Sequence, residues 1–356
     1  MDQQLPPEQT PNGATAGSGS KRPCRRRWRK GLLVVLCLFL AASTGGELYC
    51  RFVLGLGDPP LSMVDAKMRY CFKPNQTCIR FGHLVHYNAY SMRTEDFPAK
   101  KTDPSELRVM IVGDSVTNGG VLIDQSETFP ALVQKRLAKD LGRKVLVMNA
   151  SAGGWGPPSE LAYVETFGFF DADMVVWELA SHDYADAPLL QPVVDVNVNF
   201  PGHKPLLALE DGFFRYFVPR MQSRGWWPSD DAPPLPRAFP DAVHESDVQW
   251  CRACEHQFYH LAKQQTRNVF LFQYYERAEM TGPPLPGYAA NLAVAREESV
   301  PAVNVGPVFV DSVKRGQDPY RDGDPIHANV MGNQMMADTL APVLEDALKQ
   351  QEPGTR

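Results

Sequence analysis

The chain has no internal repeat, no basic stripe interleaved with aromatics, and no four metal ligands at matching spacing. The first absence sets aside solenoid and propeller arrays. The second sets aside a nucleic-acid groove, where Lys and Arg must line a face beside stacking rings. The third leaves a lone Cys251-Arg-Ala-Cys254, followed by His256 and His260 in helix-like sequence. Zinc wants four ligands held together, so a disulfide or unpaired thiols read better there than a metal. No metal or other cofactor is expected.

Long apolar runs are also scarce. The one that stands out starts at Gly31-Leu-Leu-Val-Val-Leu-Cys-Leu-Phe-Leu-Ala-Ala42 and fades through Ser43-Thr44-Gly45-Gly46. Lys21, Arg22, Arg25, Arg26, Arg27, Arg29 and Lys30 precede it, although the whole chain carries a formal charge of −5. Basic residues beside an apolar segment stay on the cytoplasmic side, so their placement speaks for topology. The run is short for a spanning helix, and Ala41-Ala42-Ser43 resembles a cleavage site. Against cleavage, the polar segment before it is long, and apolar character resumes at Leu48 and Phe52-Val53-Leu54. We expect a retained signal anchor over residues 31–49, with a cleaved signal peptide and secretion as the alternative. The chain is then a single-pass protein of a bacterial inner membrane, its bulk in the periplasm or outside. In that oxidising setting a disulfide could close the turn-rich loop between Cys71 and Cys78.

Residues 1–30 form a polar and then basic tail, and residues 50–106 a pre-domain segment with few clear periods. From residue 107 strand and helix patterns alternate to about 350. Strands are expected at Leu107–Val112, Lys144–Met148, Met174–Leu179, Asn268–Tyr274 and Pro301–Val305. Helices are expected at Thr128–Leu141, Pro158–Phe170, Val248–Gln265, Tyr288–Glu298 and Val330–Leu348. Such alternation predicts an α/β domain, a parallel sheet covered on both faces, in three α/β/α layers. Ligands in these sheets bind beyond the carboxyl ends of the strands. An insertion over 185–245, rich in Pro and aromatics, interrupts the pattern. It reads either as a lid or platform, with Trp226 and Trp227 as candidate substrate contacts, or as aromatics packing the insertion onto the domain.

Two loop positions carry the chemistry. Gly113-Asp114-Ser115 ends the first strand pattern, and Asp324-Pro325-Ile326-His327 precedes the last helix. A serine hydroxyl needs a base to take its proton and a third group to hold that base. Gly154 and His182 also follow directly on strand patterns. With these blocks in order, the chain resembles the SGNH hydrolase (GDSL-type esterase and lipase) superfamily, in its envelope-associated bacterial form. Gly113–Gly120 looks like the first block, Asn149–Gly154 the second, Glu178–Asp183 the third and Asp324–His327 the last. Tyr87-Asn88-Ala-Tyr-Ser-Met-Arg93 resembles a stretch ahead of the nucleophile in some members. The likeness covers about residues 85–185 and 265–350.

The resemblance implies Ser115 as nucleophile, His327 as base and Asp324 as its orienting acid. It implies an oxyanion site formed by the backbone N–H groups of Ser115 and Gly154 with the side chain at position 182. That position departs from the family, which has Asn where this chain has His182. His182 reads as a substitute donor, as a sign of altered chemistry such as acyl transfer to a sugar, or as a loop-bonding residue in a weak site. Asp183 is placed to orient it. The expected activity is an exported serine esterase removing acyl groups, O-acetyl groups of a saccharide first among them. The alternatives are an O-acetyltransferase using the same residues, with a membrane-embedded partner as acyl donor, and an inactive glycan-binding module.

Overall fold

The computed structural model describes residues 24–188, 191–226 and 243–349. They fall into two compact units, 1–47 and 48–356. In the first, the described residues belong to helix α1 (Cys24–Phe52), within which Trp28–Phe52 is long and apolar enough to cross a membrane.

The second unit opens with two antiparallel hairpins, β1 (Ser62–Asp65) with β2 (Arg69–Phe72), and β3 (Gln76–Arg80) with β4 (His83–Tyr87). The alternating domain then runs β5 (Leu107–Gly113), α2 (Ser115–Asn118), α3 (Phe129–Leu141), β6 (Val145–Ser151), α4 (Pro157–Phe167) and β7 (Met174–Leu179). Two short helices, α5 (Ala208–Gly212) and α6 (Val218–Ser223), are joined by a π-turn over Phe213–Phe217. The chain continues through α7 (Glu245–Gln265), β8 (Val269–Gln273), α8 (Pro286–Glu297), β9 (Ala302–Asn304), α9 (Gly306–Lys314) and α10 (Val330–Lys349).

β5 to β9 form one parallel sheet in the order β6-β5-β7-β8-β9. Renumbered within the sheet this is 2-1-3-4-5, a doubly wound order whose switch point lies beside β5. Strands buried on both faces read as near-continuous apolar runs, and alternate side chains serve opposite layers. Met110, Val112, Val175 and Trp177 meet Leu161, Phe258, Tyr259 and Val294 on one face. Val109, Ile111, Val176 and Phe272 meet Val133, Leu137, Phe309 and Leu340 on the other. The expected three-layer α/β fold is present.

The structure moves several boundaries. β6 runs three residues past Met148, through Asn149, Ala150 and Ser151, because it pairs with all seven residues of β5. α4 ends at Phe167, with Gly168 in a positive-φ cap. α9 was not expected from the sequence; Gly306 and Pro307 masked its start.

The cysteines need a correction. Cys71 and Cys78 are unpaired and buried, not bridged. They sit in different hairpins, Cys71 packing into the main core and Cys78 against Val85 and Tyr87. Cys251 and Cys254 are buried free thiols on α7. Burial pushes the Cys254 thiol up to about 11. The nearby imidazoles go elsewhere, His256 to Glu298 at 2.7 Å and His260 to Gln264 at 2.9 Å.

Candidate active site

The site is built where β5 turns into α2. Gly113 is there because a Cβ would lie 2.4 Å from Thr117 Oγ1 and 2.8 Å from Glu178 Oε2. Those two atoms belong to a buried hydrogen bond in which Thr117 Oγ1 donates to Glu178 Oε2 at 2.8 Å. Asp114 caps the short helix by accepting from the Val116 N–H at 2.7 Å. Other segments then clamp the turn. Fully buried Arg93 donates to the carbonyls of Asn118, Gly120 and Ile123 at 2.5–2.6 Å. Asn149 donates to the Thr117 carbonyl at 3.0 Å and Asn118 to the Ser151 carbonyl at 3.0 Å. Arg321, six residues before His327, donates to the Gly119 carbonyl at 2.6 Å.

Ser115 and His327, 212 residues apart in sequence, meet with Oγ 2.9 Å from Nε2. His327 Nδ1 lies 2.8 Å from Asp324 Oδ2 and 3.1 Å from Oδ1. Asp324 Oδ1 also accepts from the backbone N–H groups of Ile326 and His327, each at 2.9 Å. Burial works against the ionised carboxyl, but the bonds from His327 and from these two backbone groups outweigh it and hold Asp324 below the usual carboxylate range. The loop is fixed from outside: Arg277 Nε donates to the Asp324 carbonyl at 2.8 Å, and Tyr274 Oη to the Ile326 carbonyl at 2.5 Å.

Gly154 lies in the loop after β6 at φ +72°, a conformation that favours glycine. Its neighbour Gly153 passes beside Ser115, a Cβ there being 3.6 Å from the Ser115 Cβ, and the Gly153 carbonyl accepts from Tyr70 Oη at 2.5 Å. His182 follows β7 and is enclosed by acids. Nδ1 lies 3.2 Å from Glu276, and Nε2 lies 3.3 Å from Asp114 and 3.6 Å from Asp183. Burial favours the neutral ring, but Asp183, Asp114 and Glu276 overcome it and raise the His182 pKa well above its ordinary value. These carboxylates favour the protonated ring at position 182, whose two nitrogens both lie within 3.6 Å of carboxylate oxygens.

Beneath it the acids behave in the opposite way from Asp324. Burial and mutual repulsion push Glu160, Glu178 and Asp186 well above the usual carboxylate range, and Asp183 up to about 7. Asp114, Asp183 and His182 bring three ligand-type atoms within 4.8 Å of one another. A metal there would need a neutral imidazole, whereas the surrounding carboxylates favour the protonated ring. Next to this cluster an apolar pocket of about 310 Å³ is lined by His182, Tyr184, Val243, Leu285, Pro286 and Ile326.

Ser115, His327 and Asp324 are thus joined in one line, with His182 and Gly153-Gly154 on neighbouring strand ends. Trp226 is not brought to them: its backbone N–H bonds to Met221, and Arg224 lies over its ring at 5.7 Å. Trp227 lies outside the described residues. Sequence reasoning missed Glu276, which faces His182 from the turn after β8, and the clamp made by Arg93 and Arg321. Arg93 had a signal, as the last residue of the stretch preceding the nucleophile.

No family model matches the chain, and no curated protein sequence does. Solved structures that superpose on it include TesA, at 21% identity over 67% of this chain and 98% of that one, with a TM-score of 0.41. A lipase/acylhydrolase from Enterococcus faecalis shares 15% identity over 68% of this chain and 96% of that one, with a TM-score of 0.41. A two-domain esterase active on acetylated mannans shares 14% identity over 70% of this chain and 51% of that one, with a TM-score of 0.43. Likeness at that level bears on no single residue; the roles below rest on the geometry of the site.

Proposed function

We propose that the chain is an exported serine esterase of the SGNH type, tethered by residues 31–49, that removes short acyl groups, with O-acetyl groups of a saccharide as the preferred substrate. The observation that carries this reading is the unbroken line from Ser115 Oγ through His327 to Asp324, at 2.9 and 2.8 Å. His327 takes the Ser115 proton as the hydroxyl attacks the ester carbonyl, and Asp324 stabilises the imidazolium that forms. The N–H groups of Ser115 and Gly154 are assigned to the oxyanion. His327 then protonates the departing alcohol, and water attacks the acyl-enzyme with His327 again as base.

His182 takes a role different from that of the family's amide. Its N–H groups face Glu276, Asp114 and Asp183, so it acts through its positive charge beside the nucleophile instead of through a directed bond to the oxyanion. The mostly apolar pocket of about 310 Å³ lined by His182 and Ile326 is large enough to take part of a substrate bigger than an acetyl group. The saccharide follows from export and family likeness, in line with the acetylated-mannan activity of one structural neighbour.

The deciding experiment compares p-nitrophenyl acetate hydrolysis by wild type and Ser115→Ala. Turnover that disappears in the variant supports the reading. Equal turnover in both removes Ser115 from the reaction. Acceleration on adding a sugar acceptor would convert the assignment to acyl transfer.

A further inference from the structure

We infer that residues 206–221, Leu206 and Leu207 with the helical segment that follows from Ala208, lie in the surface of the phospholipid bilayer, with the apolar cavity beneath them receiving lipid hydrocarbon. The inference rests on the tethered reading above. α5, the π-turn and α6 make one helical segment with two unlike faces. One is locked to the domain. Asp211 Oδ2 accepts from the Gly57 N–H and from Arg80 Nη1, each at 2.8 Å, and Arg80 Nη2 donates to Tyr216 Oη at 2.9 Å. That buried pair sets the rotation of the helix.

The opposite face is apolar and open. Leu206 is 86% exposed, Phe214 54%, Leu207 48% and Phe217 47%. Large apolar side chains gathered on one short segment mark an interaction surface, whereas scattered ones need no explanation. Leu54, Leu56, Phe81, Leu207, Phe214 and Phe217 help line a cavity of about 690 Å³ that opens on this face. Its charged members are Glu210 and Arg220.

A bilayer fits better than a soluble partner because of where the chain comes from. The candidate span ends at Phe52, and the cavity residue Leu54 is two residues further on, at most about 7 Å along the chain. When the span is inserted, the cavity mouth cannot be far from the lipid headgroups. The rim has the chemistry of that zone: exposed Arg220 and Arg224 suit lipid phosphates, and Trp226, 74% exposed, suits the interfacial aromatic belt.

The test uses the full chain in vesicles of phosphatidylcholine and phosphatidylglycerol containing a phospholipid with a diazirine in its acyl chain. After illumination, lipid adducts are mapped to peptides. The expected result is labelling of both 28–52 and 206–221, with the 206–221 adducts falling at least tenfold in the exposed-site variant Phe214→Asp/Phe217→Asp while span adducts persist. Labelling of the span without 206–221 overturns the inference and leaves the tether intact. Labelling of neither overturns both. Labelling of 206–221 without the span upholds the docking face and removes the tether.

Discussion

Two groups of carboxylates stand within one site and are driven in opposite directions. Asp324 is half-exposed, accepts two backbone N–H groups and touches His327, and its pKa is lowered. Glu160, Glu178 and Asp183 are buried among other acids, and theirs are raised. Residue type says nothing of this difference; hydrogen-bond supply and burial decide it. The lowered pKa of Asp324 favours the carboxylate beside His327, while the raised values of Glu160, Glu178 and Asp183 limit the negative charge that collects beneath His182. His182 lies over the second set, with Nε2 3.6 Å from Asp183 and 3.3 Å from Asp114, whose own pKa is lowered.

The comparison should break most sharply at Ser115, the proposed nucleophile. Ser115→Ala should lower kcat by a factor on the order of 10⁶ in a continuous ester assay, as other triad serines do; retention of most activity would end the assignment. Asp324→Asn keeps the shape but removes the charge and the tautomer control, and should cost on the order of 10⁴ in kcat. A loss below tenfold would mean that His327 is oriented by the backbone of its loop alone.

His182→Asn places at position 182 the amide of the pattern the chain resembles and tests the other side. The wild-type rate should fall at alkaline pH as His182 loses its proton, its pKa being raised well above the ordinary imidazole value by Asp183, Asp114 and Glu276. The variant should lose the alkaline limb, with a change in kcat/KM of about ten- to a hundredfold. An unchanged profile would show that the His182 charge is not used. In stability terms its contribution is full below about pH 6.5 and is lost as pH rises through the raised folded value.

The smallest expected effect is at Glu178. Its folded pKa is raised, so wild-type stability should fall as pH climbs from about 4.3 toward that value, by up to about 1.4 kcal/mol per pH unit. Glu178→Gln can still accept from Thr117 and cannot ionise. Urea unfolding should show the variant close to wild type at pH 5 and more stable at pH 8. A parallel loss at both values would mean that Glu178 is ionised in the folded protein.

Much of the layout was legible in local pattern. Leu107–Val112, Met174–Leu179 and the helix at 129–141 were read nearly to the residue, because strands of a covered parallel sheet are continuous apolar runs and helices carry a 3.6-residue period. The placement of Ser115, Gly154 and His182 after strands followed from the same runs. The hairpins over 62–87 were not legible, since each is short and gains its order from contacts such as Tyr70 Oη on the Gly153 carbonyl. The disulfide that the 71–78 spacing left open is not formed, for a related reason: spacing along the chain does not say that the two thiols enter different clusters.

Local sequence therefore settled which elements form and which loops hold the reactive residue types, because period and turn chemistry act over a few neighbouring residues. The fold alone brought His327 to Ser115 across 212 residues. It alone favours the charged form of His182, by assembling Asp114, Asp183 and Glu276 around one ring. Charge states depend on burial and on neighbours distant in the chain, and these exist only once the sheet has closed over its core.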